Sequence, residues 1–151
     1  MWREKSREIG IGEIFILICV NHYKIINFQN LNLFDGGYEF PPHNSLANKR
    51  VFNKKKEFIY SQFLYLSRDF KEPNINFTKF HFFRGAMLEW DNCPRKQNCR
   101  IYAHYSPQQF YIFSKIIIDW TIKNYNNTLR FIFINAWNEW GEGAYLEPDE
   151  K

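Results

Sequence analysis

No apolar run in this 151-residue sequence approaches the length of a membrane-spanning helix. The apolar run at residues 14–20, IFILICV, is far short of the roughly 20 residues that such a helix requires. It also fits a secretory signal poorly, because Glu4, Glu8 and Glu13 interrupt the leader that should precede it. We therefore expect no transmembrane segment and a cytoplasmic protein, which at most associates peripherally with a membrane.

Cysteine is scarce, and the three cysteines, Cys19, Cys93 and Cys99, lack zinc-type spacing. Cys19 lies inside an apolar run and is expected to be a small buried hydrophobe. We expect reduced thiols, as in most cytoplasmic proteins. Recognised metal-ligand spacing is equally missing among the four histidines, His22, His43, His81 and His104. The sequence thus predicts neither a metal site nor a bound cofactor.

Positive charge is not concentrated in one region. The formal net charge is +4, and the basic residues are scattered apart from the first positions and a lysine run at residues 54–56. That run is typical of a solvated helix face, so we expect no nucleic-acid partner. Apolar residues make up 45% of the chain and no internal repeat or linker is evident, which predicts a single domain over residues 1–151. The aromatic content of 20% favours carbohydrate clefts mildly, because sugars stack on such rings.

Predicted helices and strands alternate along the chain. Apolar patterning predicts strands at residues 13–20, 79–88 and 131–134, the last of them buried on both faces, and helices at residues 2–9, 53–70 and 106–125. The residues predicted to face the core from the last two helices are Phe58, Phe63, Leu66 and Phe70, and Phe110, Phe113, Ile117 and Trp120. Ser106 and Pro107 supply a good start for the last helix, whereas paired glycines and prolines at residues 30–44 predict an irregular loop. Alternation of this kind indicates an α/β fold with parallel strands, of the (β/α)8 TIM-barrel type. A complete barrel takes about 250 residues, so we expect an incomplete, carboxyl-terminal portion.

The strongest candidate for a functional site follows the last predicted strand. Residues 135–143, NAWNEWGEG, and 146–149, LEPD, crowd amides, indoles and carboxylates together where α/β folds place their active sites. Glu139 and Glu142 are the predicted catalytic pair, because glycosidic chemistry needs one protonated and one ionised carboxyl. The alternatives are a loop ion pair or a cap on a following helix.

Other polar and aromatic residues are predicted to bind substrate. Trp90, Trp137 and Trp140 could stack on a sugar ring or simply pack in the core. Asn135 and Asn138 could hold sugar hydroxyls or orient the glutamates, or else satisfy loop backbone. The remaining predicted binding residues are Glu39, Asp91, Asn92, Arg95 and Glu147. An arginine fork at Arg95 suits a phosphate or carboxylate, although a structural Asp91–Arg95 pair is an equal alternative, and Glu147 could serve only to anchor its loop.

Three segments resemble the WbsX-type glycosyltransferase family of bacterial polysaccharide gene clusters. They are residues 34–43, FDGGYEFPPH, residues 90–95, WDNCPR, and the stretch at 135–149. That family is similar to glycoside hydrolase family 99, a group of TIM-barrel endomannosidases. The resemblance implies that Glu139 deprotonates the sugar 2-hydroxyl and that Glu142 protonates the leaving oxygen. Where family 99 has a histidine between them, this sequence has Gly141.

The resemblance implies glycosyl transfer in the assembly of cell-surface polysaccharide, such as lipopolysaccharide O-antigen. The expected partners are a saccharide and a nucleotide-sugar or lipid-linked sugar. One alternative is hydrolysis of the endomannosidase type by the same two glutamates. The other is a truncated, inactive remnant or glycan-binding fragment, because the family's amino-terminal motif is missing from the chain.

Overall fold

The protein is a mixed α/β structure in which most strands are short. A computed structural model describes residues 1–20, 33–42, 57–59, 80–95, 101–103 and 105–148, and at residues 57–59 and 103 it describes the backbone alone. The helices in those residues are α1 (Trp2–Glu8) and α2 (Pro107–Asn124). The strands are β1 (Leu17–Val20), β2 (Gly36–Glu39), β3 (Glu57–Ile59), β4 (His81–Phe83), β5 (Gly85–Met87), β6 (Trp90–Asp91), β7 (Ile101–Ala103), β8 (Phe133–Asn135), β9 (Asn138–Glu139) and β10 (Ala144–Tyr145).

Four parallel pairings confirm the predicted α/β class. β1, β2 and β4 form a parallel sheet in that order, β5 pairs with β8, and β3 pairs with β7. Because only Arg84 separates β4 from β5, one stretch of chain pairs with β2 along its first half and with β8 along its second. Each of these pairings joins strands that lie far apart in the chain, as parallel connections require. The described residues do not form a closed barrel.

Two pairings differ from the all-parallel expectation. β6 pairs with β7, and β9 with β10, and both pairs are antiparallel. β3 also lies inside the segment predicted to be a helix at residues 53–70, so that prediction is wrong at residues 57–59. The rest of the predicted helix, with its candidate core residues Phe63, Leu66 and Phe70, lies outside the described residues.

β2 replaces part of the predicted loop at residues 30–44. Its two glycines allow close approach of its neighbours, because a Cβ atom at Gly36 would collide with the His81 carbonyl oxygen. A Cβ atom at Gly37 would lie 2.6 Å from the Val20 Cγ2 atom. Glycine in a strand often marks such an approach rather than a turn. Composition alone therefore gave the wrong structure at these positions.

Helix α2 agrees closely with its sequence pattern. The Ser106 side chain accepts a hydrogen bond of 3.2 Å from the Gln109 amide, and Pro107 occupies the first helical position. Both features suit the start of a helix, where the first backbone amides have no partner within the helix. Phe113 and Ile117 are buried one turn apart on the predicted apolar stripe. The helix therefore begins and packs as predicted.

Two apolar clusters form the described core. The larger joins α2 to β5, β6, β7 and β10 through Ala86, Met87, Trp90, Tyr102, Phe113, Ile117 and Ala144. The smaller lies beside β1 and β4 and contains Val20, Phe80 and Phe82. Strand β8 was predicted to be buried on both faces, but Ile134 is 49% exposed. The apolar run of β8 is therefore only partly covered by the described residues.

A buried ion pair fixes the point where the central stretch changes neighbours. The Glu39 Oε2 atom accepts from the Arg84 Nε atom at 2.7 Å and from the Gly85 amide at 2.9 Å. The Arg84 carbonyl accepts from the Phe133 amide at 3.1 Å, and its guanidinium carbon lies 5.6 Å from the Trp120 ring. Arg84 therefore links β2, β8 and α2 at one position.

Candidate active site

The two predicted catalytic glutamates lie on a small hairpin that follows β8. Strands β9 and β10 enclose a short 3-10 helix, Trp140–Glu142, and Ala144 pairs with Glu139. Gly143 closes the turn at φ 57°, a left-handed conformation that glycine adopts without strain. The Trp137 carbonyl accepts from the amides of Leu146 and Glu147, each at 2.9 Å. The hairpin is therefore closed at both ends by backbone hydrogen bonds.

Arg95 brings the two carboxylates together. Its Nη2 atom donates to the Glu139 Oε1 atom at 2.8 Å, and its Nη1 atom donates to the Glu142 Oε1 atom at 3.3 Å. The side chains are partly exposed: 50% for Arg95, 37% for Glu139 and 21% for Glu142. Because the guanidinium group is planar and rigid, the two carboxylates that accept from it are held close to each other. Arg95 thus pairs with these glutamates rather than with Asp91, the alternative that the sequence left open.

A hydrogen bond from the buried Trp90 orients Glu142. Its Nε1 atom donates to the Glu142 Oε2 atom at 3.1 Å, so that carboxylate receives one bond on each oxygen. Trp90 itself is only 3% exposed and belongs to the larger core cluster. An indole buried to this extent has no free face for a sugar. Of the two alternatives for Trp90, the structure supports core packing, with its polar edge turned to the site.

Gly141 makes room for the arginine. A Cβ atom at this position would lie 2.7 Å from the Arg95 Nη2 atom and 2.8 Å from its Nε atom. Such separations are too short for a real contact, so the guanidinium lies against the peptide backbone of Gly141. The absence of a side chain between the two glutamates therefore sets where Arg95 can lie.

The turn at residues 91–95 presents Arg95 to the glutamates. The Asp91 Oδ1 atom accepts from the Cys93 amide at 2.8 Å, and the buried Asn92 accepts through its carbonyl from the Arg95 amide at 3.1 Å. Cys93 is disulfide-bonded, so the expectation of reduced thiols is wrong for this residue. Its partner lies outside the described residues. Spacing alone did not predict the bond, since bonding depends on which thiols the fold brings within reach.

Two other indoles remain accessible beside the acidic pair. Trp137 is 62% exposed and Trp140 is 49% exposed. Trp140 stacks on Tyr145 with ring centroids 3.9 Å apart, and its Nε1 atom donates to the Glu147 Oε2 atom at 3.1 Å. Asn138 is exposed on β9 between them. Glu147 therefore holds Trp140, while one side of each indole stays open to solvent.

Asn135 and Glu39, both predicted to bind substrate, are turned into the protein. Asn135 is buried, and its Nδ2 atom donates to the Pro41 carbonyl at 2.8 Å. Glu39 is committed to Arg84 and Gly85. The structure does not bring these two side chains into the exposed cluster around Arg95. Sequence reasoning missed Arg84, although a charged residue inside the apolar stretch 80–87, FHFFRGAM, signals a buried partner.

The described residues contain no group of three or more His, Cys, Asp or Glu side chains placed to hold a metal ion. Within the same part of the chain, neither helix combines the length and hydropathy needed to cross a bilayer. The described residues bring together two carboxylates, one guanidinium, an amide and two accessible indoles at the candidate site.

Known proteins support the resemblance seen in the sequence. The family described as glycosyltransferase WbsX matches residues 1–151. Proteins named "Uncharacterized protein WxcX" from two strains of Xanthomonas campestris pv. campestris, one of them B100, are 33% identical to the chain over 156 residues. The match covers 99% of this chain and 22% of each relative, so the chain spans about a fifth of their length. No solved structure matches the chain. The chain belongs to the glycosyltransferase WbsX family.

Proposed function

We propose that this chain supplies the acidic pair of a glycosyltransferase that assembles bacterial cell-surface polysaccharide, such as lipopolysaccharide O-antigen. Family membership supports a carbohydrate-active enzyme. One observation carries the assignment of the site: the Glu139 and Glu142 carboxylates converge on a single exposed guanidinium. Two carboxyl groups held side by side are what cleavage and formation of a glycosidic bond require.

The two glutamates take different roles in this proposal. Glu139, the more exposed of the two, accepts from Arg95 and in this proposal removes a proton from a sugar hydroxyl. Glu142, oriented by Trp90, hands a proton to the leaving oxygen. Arg95 donates to both carboxylates, so it must move off Glu142 before that group can carry a proton. An anionic group on the sugar donor would draw the guanidinium away.

That requirement points to the substrate class. A nucleotide-sugar or a lipid-linked sugar diphosphate carries phosphate oxygens that match the arginine fork. The half-exposed position of Arg95 leaves it within reach of such a group. Trp137 and Trp140 offer open indole faces for the sugar ring. In this proposal Asn138 and Asp91 line the same saccharide site, and no cofactor is involved. Asn92, which was also predicted to bind substrate, is buried and instead supports the turn that carries Arg95.

The fold part of the proposal is that the chain forms one domain, residues 1–151, contributing several strands of a (β/α)8 barrel. The four parallel pairings support it. So does the position of the acidic pair, which follows the carboxyl end of β8 as barrel active sites do. The proposed location is the cytoplasm, where the disulfide bond of Cys93 would be an exception to the usual reduced state of thiols.

Substitution of each glutamate tests the chemistry. Glu139→Gln and Glu142→Gln should each lower transfer from a nucleotide-sugar about 10²–10⁴-fold, the usual contribution of a general acid or base. Glu13→Gln is the matched control, because Glu13 is exposed and pairs with Arg7 away from the site. Melting temperatures of all variants should stay close to that of the parent chain. Full activity in both site variants would overturn the assignment.

Hydrolysis by the same pair is the second candidate, since paired carboxylates also serve glycosidases. Incubation with nucleotide-sugars and, separately, with α-mannan distinguishes the two. Products from the nucleotide-sugars alone support transfer, and products from the polymer alone support an endomannosidase. Saturable glycan binding without either product would leave only a glycan-binding fragment, with Trp137 and Trp140 as its platforms.

A further inference from the structure

Trp140 forms an aromatic platform on the hairpin that carries the acidic pair. Its ring stacks on Tyr145 with centroids 3.9 Å apart and an interplanar angle of 28°. One face of the indole is therefore covered, yet the residue remains 49% exposed, so its open surface is the opposite face and the rim. An indole backed in this way is held rigidly, and its open face matches the apolar C–H face of a pyranose ring.

Glu147 adds a polar group at the edge of this platform. Its Oε2 atom accepts from the Trp140 Nε1 atom at 3.1 Å, which places the carboxylate at the rim of the indole. Among the described residues, no group donates to its Oε1 atom. A carboxylate accepts through both oxygens, and the hydroxyls of a pyranose project from the rim of its ring. A sugar stacked on Trp140 therefore brings a hydroxyl towards the Glu147 Oε1 atom.

The hairpin separates this platform from the acidic pair. Glu139 lies opposite Ala144, and Tyr145 follows Ala144 in the strand. Opposite residues of an antiparallel pair share a face and successive residues alternate, so Tyr145 and the indole stacked on it lie on the other face from Glu139. Glu142 also diverges from Trp140, since residues two apart in a 3-10 helix point about 120° apart. A sugar ring on Trp140 is therefore not the ring that meets the two carboxylates.

We propose that Trp140, Tyr145 and Glu147 bind a second sugar ring of the saccharide whose first ring lies at the acidic pair. This inference rests on the proposed function and narrows its substrate class to a saccharide of at least two rings. Trp140 stacks on the second ring, Glu147 accepts from one of its hydroxyls, and Tyr145 holds the indole in place. The Cα atoms of Glu139 and Trp140 are about 3.8 Å apart, so neighbouring rings of one chain reach both sites. Trp137, which is 62% exposed, remains for the first ring.

Saccharide binding to the full chain tests the proposal, with methyl α-D-mannopyranoside and methyl α-D-glucopyranoside as single rings and mannobiose and maltose as disaccharides. In ¹H–¹⁵N NMR spectra the Trp140 indole signal, identified by its loss in Trp140→Phe, should shift when a disaccharide is added. At least one disaccharide should bind about tenfold or more tightly than its single-ring counterpart, and Glu147→Ala should remove that advantage, because it removes a hydrogen bond to a charged group. Glu13→Ala, at an exposed glutamate that pairs with Arg7 away from the site, is the matched control.

A purely structural role for Glu147 predicts a different result. If Glu147 only anchored its loop, Glu147→Ala would weaken binding of single rings and disaccharides equally, or of neither, and either outcome would overturn the inference. Equal affinity of the parent chain for each disaccharide and its single-ring counterpart would also overturn it, as would an unshifted Trp140 signal up to the solubility limit of both disaccharides.

Transfer assays separate this inference from the proposed function. Glu139→Gln should lower transfer but keep the preference for disaccharides in binding. A parent chain that prefers disaccharides and shows the Trp140 shift, but transfers no sugar, would support the second-ring site and count against the transferase alone. Normal transfer with equal use of single-ring and disaccharide acceptors in Glu147→Ala and the parent chain would overturn the second-ring site alone.

Discussion

Two arginines of this chain hold glutamate carboxylates in opposite environments. Arg84 pairs with Glu39 at 2.7 Å, and the two side chains are 3% and 7% exposed. Arg95 pairs with Glu139 at 2.8 Å and with Glu142 at 3.3 Å, where the arginine is 50% exposed. The shortest distances are nearly equal, so distance does not distinguish the two systems. Burial does.

Burial gives the two systems different consequences. Removing one partner of a buried pair leaves a charge without compensation, which is strongly destabilising. An exposed pair is solvated and contributes little to stability, so water or a ligand can replace one partner. Arg84 and Glu39 are therefore expected to hold the strands together. Arg95 and its glutamates can exchange partners with water or with a ligand.

The largest expected effect is on the buried side of this comparison. Glu39→Gln leaves Arg84 charged inside the protein and should lower the free energy of unfolding by about 3–5 kcal/mol. Urea unfolding monitored by circular dichroism measures it. The double variant Glu39→Gln/Arg84→Met should lose much less than the sum of the two single changes. If Glu39→Gln lowers the free energy of unfolding by less than about 1 kcal/mol, the Arg84–Glu39 pair contributes no more than an exposed ion pair does.

Substitution of Gly85 and Gly141 tests the same difference between buried and exposed sites, with a stability effect of intermediate size. A Cβ atom at Gly85 would lie 2.5 Å from the Glu39 carbonyl oxygen and 2.8 Å from the Pro41 Cδ atom, neither of which can move away easily. Gly85→Ala should therefore cost about 1–3 kcal/mol. At Gly141 the obstructing atoms belong to the mobile end of Arg95. Gly141→Ala should cost less in thermal unfolding, and equal losses would contradict the comparison.

Ligand binding should separate the exposed arginines. Arg95→Gln should change the free energy of unfolding by no more than about 1 kcal/mol. It should weaken binding of a nucleoside diphosphate about 10-fold or more, because a hydrogen bond to a charged group is worth about 1.5–3 kcal/mol. Arg7→Gln, which breaks another exposed ion pair, is the control for calorimetry. Equal diphosphate affinity in Arg95→Gln and the parent chain would remove Arg95 from the donor site.

The smallest expected effect concerns a thiol in the parallel sheet. Burial raises the pKa of Cys19, and the hydrogen bond from Tyr38 offsets this only in part. Less thiolate is then present at a given pH, so iodoacetamide should modify the Cys19 peptide more slowly than a short reference peptide at pH about 8.5. The contribution of the raised Cys19 pKa to the free energy of unfolding is present below that pH and declines above it. Equal rates in the two peptides would show that the sheet does not protect this thiol.

Local signals predicted some elements well. Ser106 and Pro107 marked the start of α2, and the apolar spacing of Phe113 and Ile117 marked its buried face. The apolar run at residues 79–88 predicted the central stretch that contains β4 and β5. In each case the deciding interactions lie within a few residues of one another. Such signals can be read from neighbouring residues alone.

Elements that depend on distant partners were missed. Gly36 and Gly37 suggested a loop, but they form β2 because β1 and β4 approach too closely for side chains. Trp90 was an even choice between sugar platform and core, and only packing against α2, β7 and β10 decided it. The partners of Arg95 lie 44 and 47 residues away. No local sequence pattern indicates which carboxylates, so distant along the chain, an arginine will contact.

The chain's own order of residues determined its family, its α/β class and the clustering of two glutamates with indoles near residue 140, since these depend on motif and short-range spacing. Tertiary structure alone decided that Glu39 is buried on Arg84 while Glu139 and Glu142 share the exposed Arg95. Identical chemical groups acquire different roles because the free energy of a charge depends on its surroundings. Those surroundings exist only once distant segments have come together.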